Sequence, residues 1–253
     1  MTSLVDCPDS TRGEWRFRIF DIPVRVHPYF WLTTIFMGAS EDVGRMLIWV
    51  GVCFVSILLH ELGHVAAFRF FGIRADVVMY GFGGLAIGER EARGTFARVL
   101  ISIAGPIAGF VLAILAAGCA LGAGAKFHFG FLTVVIPTLT AWIPRAASPY
   151  WNVLLMDLLH VNIYWGLINL LPIYPLDGGQ ASRALHEKRD GIRGKRRSLL
   201  VSAITAAAMA ALALFTRSMY LVAFFGFLAA GSAQMLEEFR SFFRPRPYDP
   251  SRR

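Results

Sequence analysis

The sequence predicts an all-α integral membrane protein with about six transmembrane helices. Of the 253 residues, 56% are hydrophobic and only 17% are charged, and the mean hydropathy is +0.54, which is too apolar for an ordinary soluble domain. A helix needs roughly 20 apolar residues to cross a bilayer. The apolar runs of this chain are Pro28–Gly38, Met46–Phe71, Val99–Ala123, Phe127–Ile143, Tyr150–Ile173, Leu199–Phe215 and Met219–Leu236.

The distribution of positive charge indicates which runs cross the membrane. Of the 25 Lys and Arg residues, 21 fall in four segments, namely 1–27, 69–98, 183–197 and 240–253. If Phe127–Ile143 does not cross, six spans remain and all four basic segments share one face, which the positive-inside rule makes cytoplasmic. We therefore expect Phe127–Ile143, which Pro137 interrupts, to be an interfacial or re-entrant element facing away from the cytoplasm.

This topology divides the chain into five segments. They are a cytoplasmic amino-terminal segment (1–27), a transmembrane core (28–180), a basic cytoplasmic loop (181–198), a carboxy-terminal helical hairpin (199–238) and a basic cytoplasmic tail (239–253). The last hairpin suits either a moving gate or fixed helix packing, and the sequence leaves both open. The net charge of +8 comes from segments next to span ends, so the expected partner is the lipid bilayer and not nucleic acid.

The strongest motif is His60-Glu61-Leu62-Gly63-His64, inside the apolar run Met46–Phe71. Residues four apart share one face of a helix, so both imidazoles can hold one zinc ion while Glu61 acts as general base. A membrane-spanning helix rarely carries three ionisable groups unless they face a functional interior. The alternative is a helix whose histidines only form hydrogen bonds with their neighbours. The motif predicts one Zn²⁺ per chain.

A catalytic zinc site usually has three protein ligands. Further candidates near apolar segments are Asp157, His160 and Asp177. In the topology above, His64 lies about 8 Å along its helix from Arg69 and the cytoplasmic end, whereas Asp157 lies about 20 Å from the cytoplasmic end of its own run. Asp177 follows that end directly, so it is the better placed carboxylate.

Two asparagines precede Asp177. Asn162 and Asn169 are seven residues apart, which places them on one face of a regular helix, and we expect both to point inward. Asn162 is a candidate substrate-binding residue, although both amides would also suit hydrogen bonding between helices. The broken backbone at Pro172–Gly179 suits a site that lines a wet cavity, or else an ordinary turn.

These motifs together resemble the site-2 proteases, a family of intramembrane zinc metalloproteases. The family's first motif resembles residues 60–64, and its second resembles Asn169-Leu170-Leu171-Pro172-Ile173-Tyr174-Pro175-Leu176-Asp177-Gly178. Between them, Ala104-Gly105-Pro106-Ile107-Ala108 is similar to a family segment that normally continues with Asn, where this chain has Gly109. The resemblance covers residues 20–180.

The resemblance implies roles for particular residues. His60, His64 and Asp177 match the zinc ligands, Glu61 matches the general base, and Asn169 matches an asparagine that positions or polarises the scissile peptide. The family also has a glycine-containing loop or hairpin near the site, where a strand edge can hold a substrate extended. Its substrate-binding counterparts here are Gly81, Gly83 and Gly84. The resemblance therefore implies that the helical fold includes a small β-hairpin or re-entrant loop near residues 73–90.

The implied activity is hydrolysis of peptide bonds within or next to transmembrane helices of membrane-anchored substrates. We expect the compact six-span form, without a PDZ or nucleotide-sensing CBS domain, in the plasma membrane of a prokaryote. Both termini and the active-site opening would face the cytoplasm, and the partners would be a membrane-spanning substrate and a regulatory membrane protein. The alternatives are a membrane zinc transporter or metal sensor using the same ligands, and a catalytically dead scaffold.

Overall fold

We describe the fold from a computed structural model, which covers residues 11, 13–81, 83–131, 137–142, 144, 148–215 and 217–242. The helices are α1 (Pro28–Met37), α2 (Val43–Phe70), α3 (Thr95–Gly122), α4 (Pro149–His160), α5 (Gly166–Asn169), α6 (Asp177–Phe215) and α7 (Met219–Phe242). The strands are β1 (Trp15–Ile19), β2 (Ile22–Val26), β3 (Ala75–Tyr80), β4 (Gly83–Gly88), β5 (Lys126–Phe131) and β6 (Pro137–Trp142).

Four helices, α2, α3, α6 and α7, are long and apolar enough to cross a membrane. This confirms the predicted fold class, a mostly helical integral membrane protein with a small β-sheet. A π-turn at Val161–Trp165 joins α4 to α5, and the backbone keeps right-handed helical angles from one to the other. Because α1 has only ten residues and the α4–α5 run is divided, the count of six spans remains approximate.

The ends of two helices are fixed by local hydrogen bonds. Asp42 caps α2, since its carboxylate accepts hydrogen bonds from the backbone N–H groups of Gly44 and Arg45. Ser148 caps α4 in the same way, and the next residue is proline, which suits the first position of a helix. The phenol of Tyr150 in turn donates to Asp42, which ties the first turn of α4 to that of α2.

The predicted hairpin near residues 73–90 is present as β3 and β4, which are antiparallel. It belongs to a four-stranded sheet of order β1-β2-β3-β4, in which β2 and β3 are parallel. The strands β1 and β2 lie in residues 1–27, for which the sequence predicts only a cytoplasmic amino-terminal segment. Val26, Val77 and Met79 of this sheet are 0% exposed and share one hydrophobic core with Phe30 of α1 and Val65 of α2. The sheet is therefore fixed against the helix that carries the zinc motif.

The described residues of the run Phe127–Ile143 belong to one antiparallel hairpin, β5–β6. Lys126 lies opposite Trp142, and residues 132–136 and 143 lie outside the described part. Each strand has six residues. The placement of this run as an interfacial or re-entrant element that does not cross the membrane stays a prediction.

The chain divides into two compact units, Met1–Leu171 and Pro172–Arg253. The second unit contains the helices α6 and α7. Residues 181–198, predicted as a basic loop, are helical on both sides of a break at Gly191, where φ is 54° and ψ is −126°. Glycine adopts this conformation without the steric cost that a side chain imposes, so the helix can bend there. Residues 243–253 of the predicted tail lie outside the described part.

The amino-terminal hairpin predicts a pH dependence. Arg25, together with Arg16, lowers the pKa of Glu14 from 4.5 to about 2, through contacts of 2.9 and 2.8 Å. A carboxyl group whose pKa is lower in the folded state stabilises that state above its unfolded pKa, and this stabilisation is lost as the pH falls through about 2. The wild type should therefore melt at a higher temperature than Glu14→Gln at pH 7, and the difference should disappear between pH 4.5 and pH 2.

Thermal unfolding in detergent at several pH values measures this difference. Glu41→Gln is the matched control, since Glu41 is exposed and has no ion pair among the described residues. An equal melting temperature for Glu14→Gln and wild type at pH 7 would show that the ion pairs do not stabilise the fold.

Candidate metal centre

The helix α2 brings His60, Glu61 and His64 together in a buried position. Their exposed fractions are 5%, 4% and 6%, and candidate metal-binding atoms of the three side chains lie within 4.8 Å of one another. The Nε2 atoms of the two histidines are 3.2 Å apart. Zinc bound tetrahedrally with Zn–N distances of 2.0–2.1 Å would hold two nitrogens about 3.3 Å apart. The two imidazoles therefore fit a shared zinc ion.

The orientation of His64 is fixed by the neighbouring helix. Its Nδ1 atom lies 2.7 Å from the backbone carbonyl oxygen of Ile101 on α3. A carbonyl oxygen can only accept a hydrogen bond, so Nδ1 carries the proton and Nε2 keeps the lone pair that a metal requires. A hydrogen bond from the second ring nitrogen is typical of metal-binding histidines, because it fixes both the tautomer and the ring angle.

Glycines let the backbones of α2 and α3 approach each other at the site. A Cβ atom added to Gly63 would lie 2.6 Å from the carbonyl oxygen of Ala104. A Cβ atom added to Gly105 would lie 2.3 Å from Nε2 of His64 and 2.7 Å from Nε2 of His60. The missing side chain of Gly105 therefore lets the backbone of α3 lie directly against both imidazoles, where any larger residue would collide with the two Nε2 atoms.

The sheet also reaches the site through a glycine. A Cβ atom at Gly84 of β4 would lie 2.4 Å from Cγ and 2.7 Å from Oε1 of Glu61, so the backbone of β4 lies directly against this carboxylate. The other predicted glycines are less close to it. Gly83 faces Trp165, and Gly81 forms the turn of the hairpin with a φ of +43°. Of the three predicted substrate-binding glycines, the structure brings Gly84 into contact with Glu61.

Asn162 lies next to the histidine face of α2. Its side-chain amide donates to the hydroxyl of Ser56 and to the carbonyl of Leu158, both at 2.8 Å. Ser56 is one helical turn before His60, and Asn162 is 3% exposed. Asn162 therefore lies about one turn nearer the amino end of α2 than His60.

Asn169 is buried at the end of α5, and its amide donates to the carbonyl of Trp165 at 3.0 Å. The π-turn at Val161–Trp165 lies between the two asparagines and adds a residue to one helical turn. A spacing of seven places two residues on one face only in an uninterrupted α-helix, and the helix between Asn162 and Asn169 is interrupted by this turn. The substrate-related roles of both residues remain predictions.

Asp177 is the first residue of α6 and is 8% exposed. It belongs to the second compact unit, whereas the histidines belong to the first. Its assignment as the third zinc ligand therefore remains a prediction from the motif. Asp157 and His160, the other candidates from the sequence, lie in α4.

Sequence reasoning missed the contributions of α3 and Ser56. The carbonyl of Ile101 has no sequence signature, because any residue supplies a carbonyl. Gly105 could have been found, since the small residues Ala104, Gly105, Ala108 and Gly109 indicate a helix face that packs closely on another helix.

Comparison with known proteins agrees with this geometry. Residues 49–216 match the model of Peptidase family M50. The zinc metalloprotease MJ0392 of Methanocaldococcus jannaschii is 26% identical over 179 residues, which are 69% of this chain and 46% of that protein. Rip3 of Mycobacterium tuberculosis, whose name describes it as a candidate zinc metalloprotease, is 35% identical over 137 residues, covering 54% of this chain and 30% of Rip3. This chain thus spans less than half the length of either relative.

A solved structure shows the same fold. The site-2 protease from Methanocaldococcus jannaschii aligns with a TM-score of 0.56 and 24% sequence identity, over 88% of this chain and 95% of that one. The family match covers about two thirds of the sequence, including α2 and its buried zinc motif. The chain therefore belongs to peptidase family M50.

Proposed function

We propose that this protein is a zinc-dependent intramembrane endopeptidase that cleaves membrane-anchored proteins within or next to their transmembrane helices. The observation that carries the proposal is the buried His60–Glu61–His64 group on a helix long enough to span the membrane. Soluble metalloproteases need no such helix, and a structural zinc site needs no glutamate between its histidines. The family membership supports peptidase chemistry at this group.

Each residue of the site has its own proposed role in the hydrolysis. Zinc, when bound, supplies a Lewis acid that polarises a peptide carbonyl and makes water acidic enough to react near neutral pH. His60 and His64 would hold it, with Asp177 as the proposed third ligand. Glu61 accepts the proton of the attacking water and passes it to the leaving amide nitrogen. Asn169 is proposed to orient the scissile peptide.

The position of β4 supports a proposal for how the substrate is held next to Glu61. A helix must be unwound before a protease can cut it, because its backbone is otherwise hydrogen-bonded within the helix. β4 is the last strand of its sheet among the described residues, and Gly84 places its backbone against Glu61. We propose that an unwound segment adds to the free edge of β4 as a further strand, which holds its peptide bonds next to the general base.

The charge distribution supports an orientation of the protein in the membrane. Four basic segments lie on one face in the six-span topology, and His64 lies within about 8 Å of the Arg69 end of its helix. We propose that the site opens to the cytoplasm, that both termini lie there, and that the membrane is the plasma membrane of a prokaryote. Substrates would then be single-span proteins that reach the site from the lipid, under the control of a membrane partner.

Replacing the general base should separate catalysis from metal binding. Glu61→Gln keeps the size of the side chain but cannot accept the proton, so cleavage should fall about 100- to 10,000-fold while zinc is retained. Comparing the membrane proteomes of cells with wild type and with Glu61→Gln measures this, because uncut single-span substrates should accumulate only with the variant. Glu91→Gln, which changes an exposed glutamate, is the control.

Matching proteomes under several stresses, together with a changed zinc content of the cells, would contradict the protease and favour a zinc transporter. A transporter needs the ligands but gives Glu61 no task as a base.

Filling the space beside the histidines should remove the metal. Gly105→Ala places a methyl group within 2.3 Å of Nε2 of His64, so zinc retention should weaken on the order of 100-fold. Gly118→Ala is the matched control on the same helix, since nothing lies within 4 Å of its added Cβ atom. Zinc content after purification measures both variants. If Gly105→Ala retains as much zinc as Gly118→Ala, the metal does not bind at the two Nε2 atoms.

A further inference from the structure

A short segment before α6 has few backbone donors of its own. Pro172 and Pro175 have no N–H group. The N–H of Leu176 donates to the carbonyl of Ile173 at 2.8 Å. The N–H of Tyr174 donates to a side chain instead, the hydroxyl of Ser202, at 2.8 Å. One serine of α6 therefore helps to fix this segment, which leads directly into Asp177.

A second serine completes the connection. The hydroxyls of Ser202 and Ser232 share a hydrogen bond of 2.7 Å, and each residue is 1% exposed. A hydroxyl has two acceptor sites and one proton, so Ser202 can accept from Tyr174 and still bond to Ser232. Because Ser232 belongs to α7, a buried chain of two hydrogen bonds runs from α7 through α6 to the backbone of Tyr174. We call these two hydroxyls the serine pair.

The first turn of α6 also packs against this segment. A Cβ atom on Gly179 would lie 2.4 Å from the carbonyl carbon and oxygen of Ile173 and 2.5 Å from the nitrogen of Tyr174. The first turn of α6 therefore packs directly on the backbone of these two residues. Asp177 lies between Tyr174 and Gly179 in the chain and is buried. Moving Tyr174 would thus move the first turn of α6 and, with it, Asp177.

We propose that Ser202 and Ser232 are positioning residues for Asp177, so that the last helix, α7, sets how firmly the protein retains its metal. The inference rests on the proposed function in one respect, namely that Asp177 is a zinc ligand. It gives the α6–α7 hairpin a role in holding Asp177. Groups that orient metal ligands typically change metal affinity about 10- to 100-fold when they are removed.

The rate at which purified protein in detergent releases zinc to a coloured chelator tests this inference. Ser202→Ala and Ser232→Ala should each release zinc roughly 10- to 100-fold faster than wild type and should alter the absorption spectrum of the Co²⁺-substituted protein. Ser202→Thr keeps the hydroxyl and should restore both properties. Hydrogen exchange of the peptide that contains Tyr174 should be faster in the two alanine variants, and this measurement does not rely on the metal.

Ser198→Ala is the matched control. Ser198 is also buried, lies one turn before Ser202 on α6, and donates to the carbonyl of Lys195 in its own helix. Its variant loses a buried hydroxyl but leaves the serine pair intact, so zinc release should be unchanged. If Ser202→Ala does not fold, Ser232→Ala decides the question, because it leaves the acceptor for Tyr174 in place and breaks only the link to α7.

The outcomes separate this inference from the proposed function. If both serine variants release zinc no faster than Ser198→Ala while Asp177→Ala releases it rapidly, the positioning role is wrong and the zinc site stands. If Asp177→Ala holds zinc as firmly as wild type, the ligand assignment within the proposed function is wrong, and the inference fails with it.

Discussion

The candidate metal centre depends on the close packing of α2 against α3. Two glycines make this packing possible, because side chains at Gly63 and Gly105 would collide with the opposite helix or with the histidine rings. The same contact brings the carbonyl of Ile101 to Nδ1 of His64 and so leaves Nε2 available for a metal. The helix spacing and the tautomer of His64 are thus consequences of one packing contact. In lipid, where no hydrophobic force drives helices together, small residues are the usual means of achieving it.

The β-sheet packs on α2 and lies beside the candidate metal centre. Its apolar face packs on α2 through residues such as Val77 and Val65, and this places β4 beside Glu61. A helix alone could hold the metal but would offer no extended backbone next to the general base. In the proposed function, the combination of a metal-binding helix with a strand edge connects zinc chemistry to the hydrolysis of an unwound peptide.

The parts of the fold that follow periodic patterns were predictable from the sequence, and those that depend on tertiary contacts were not. The apolar runs located α2, α3 and α7, and the spacing of His60 and His64 located the metal-binding face. The strands β1 and β2 were not predictable with certainty, because the arginines that alternate with apolar residues in Trp15–Ile19 also suit a basic stretch beside a membrane span. The helix on both sides of Gly191 was not predicted, because a dense basic cluster also suits a solvent-exposed loop, whereas Lys, Arg and Glu are good helix formers. The contact between Ile101 and His64 could not be predicted, since it joins residues 37 apart through a backbone carbonyl.

X-ray absorption spectroscopy at the zinc edge of the purified full-length protein tests the central claim most directly. The account predicts one zinc ion per chain, coordinated by two imidazoles and by oxygen at about 2.0–2.2 Å. In His60→Ala, the imidazole signal should drop by half or disappear along with the metal. Absence of stoichiometric zinc from the wild type, or a coordination shell without imidazole that persists in His60→Ala, would contradict the account.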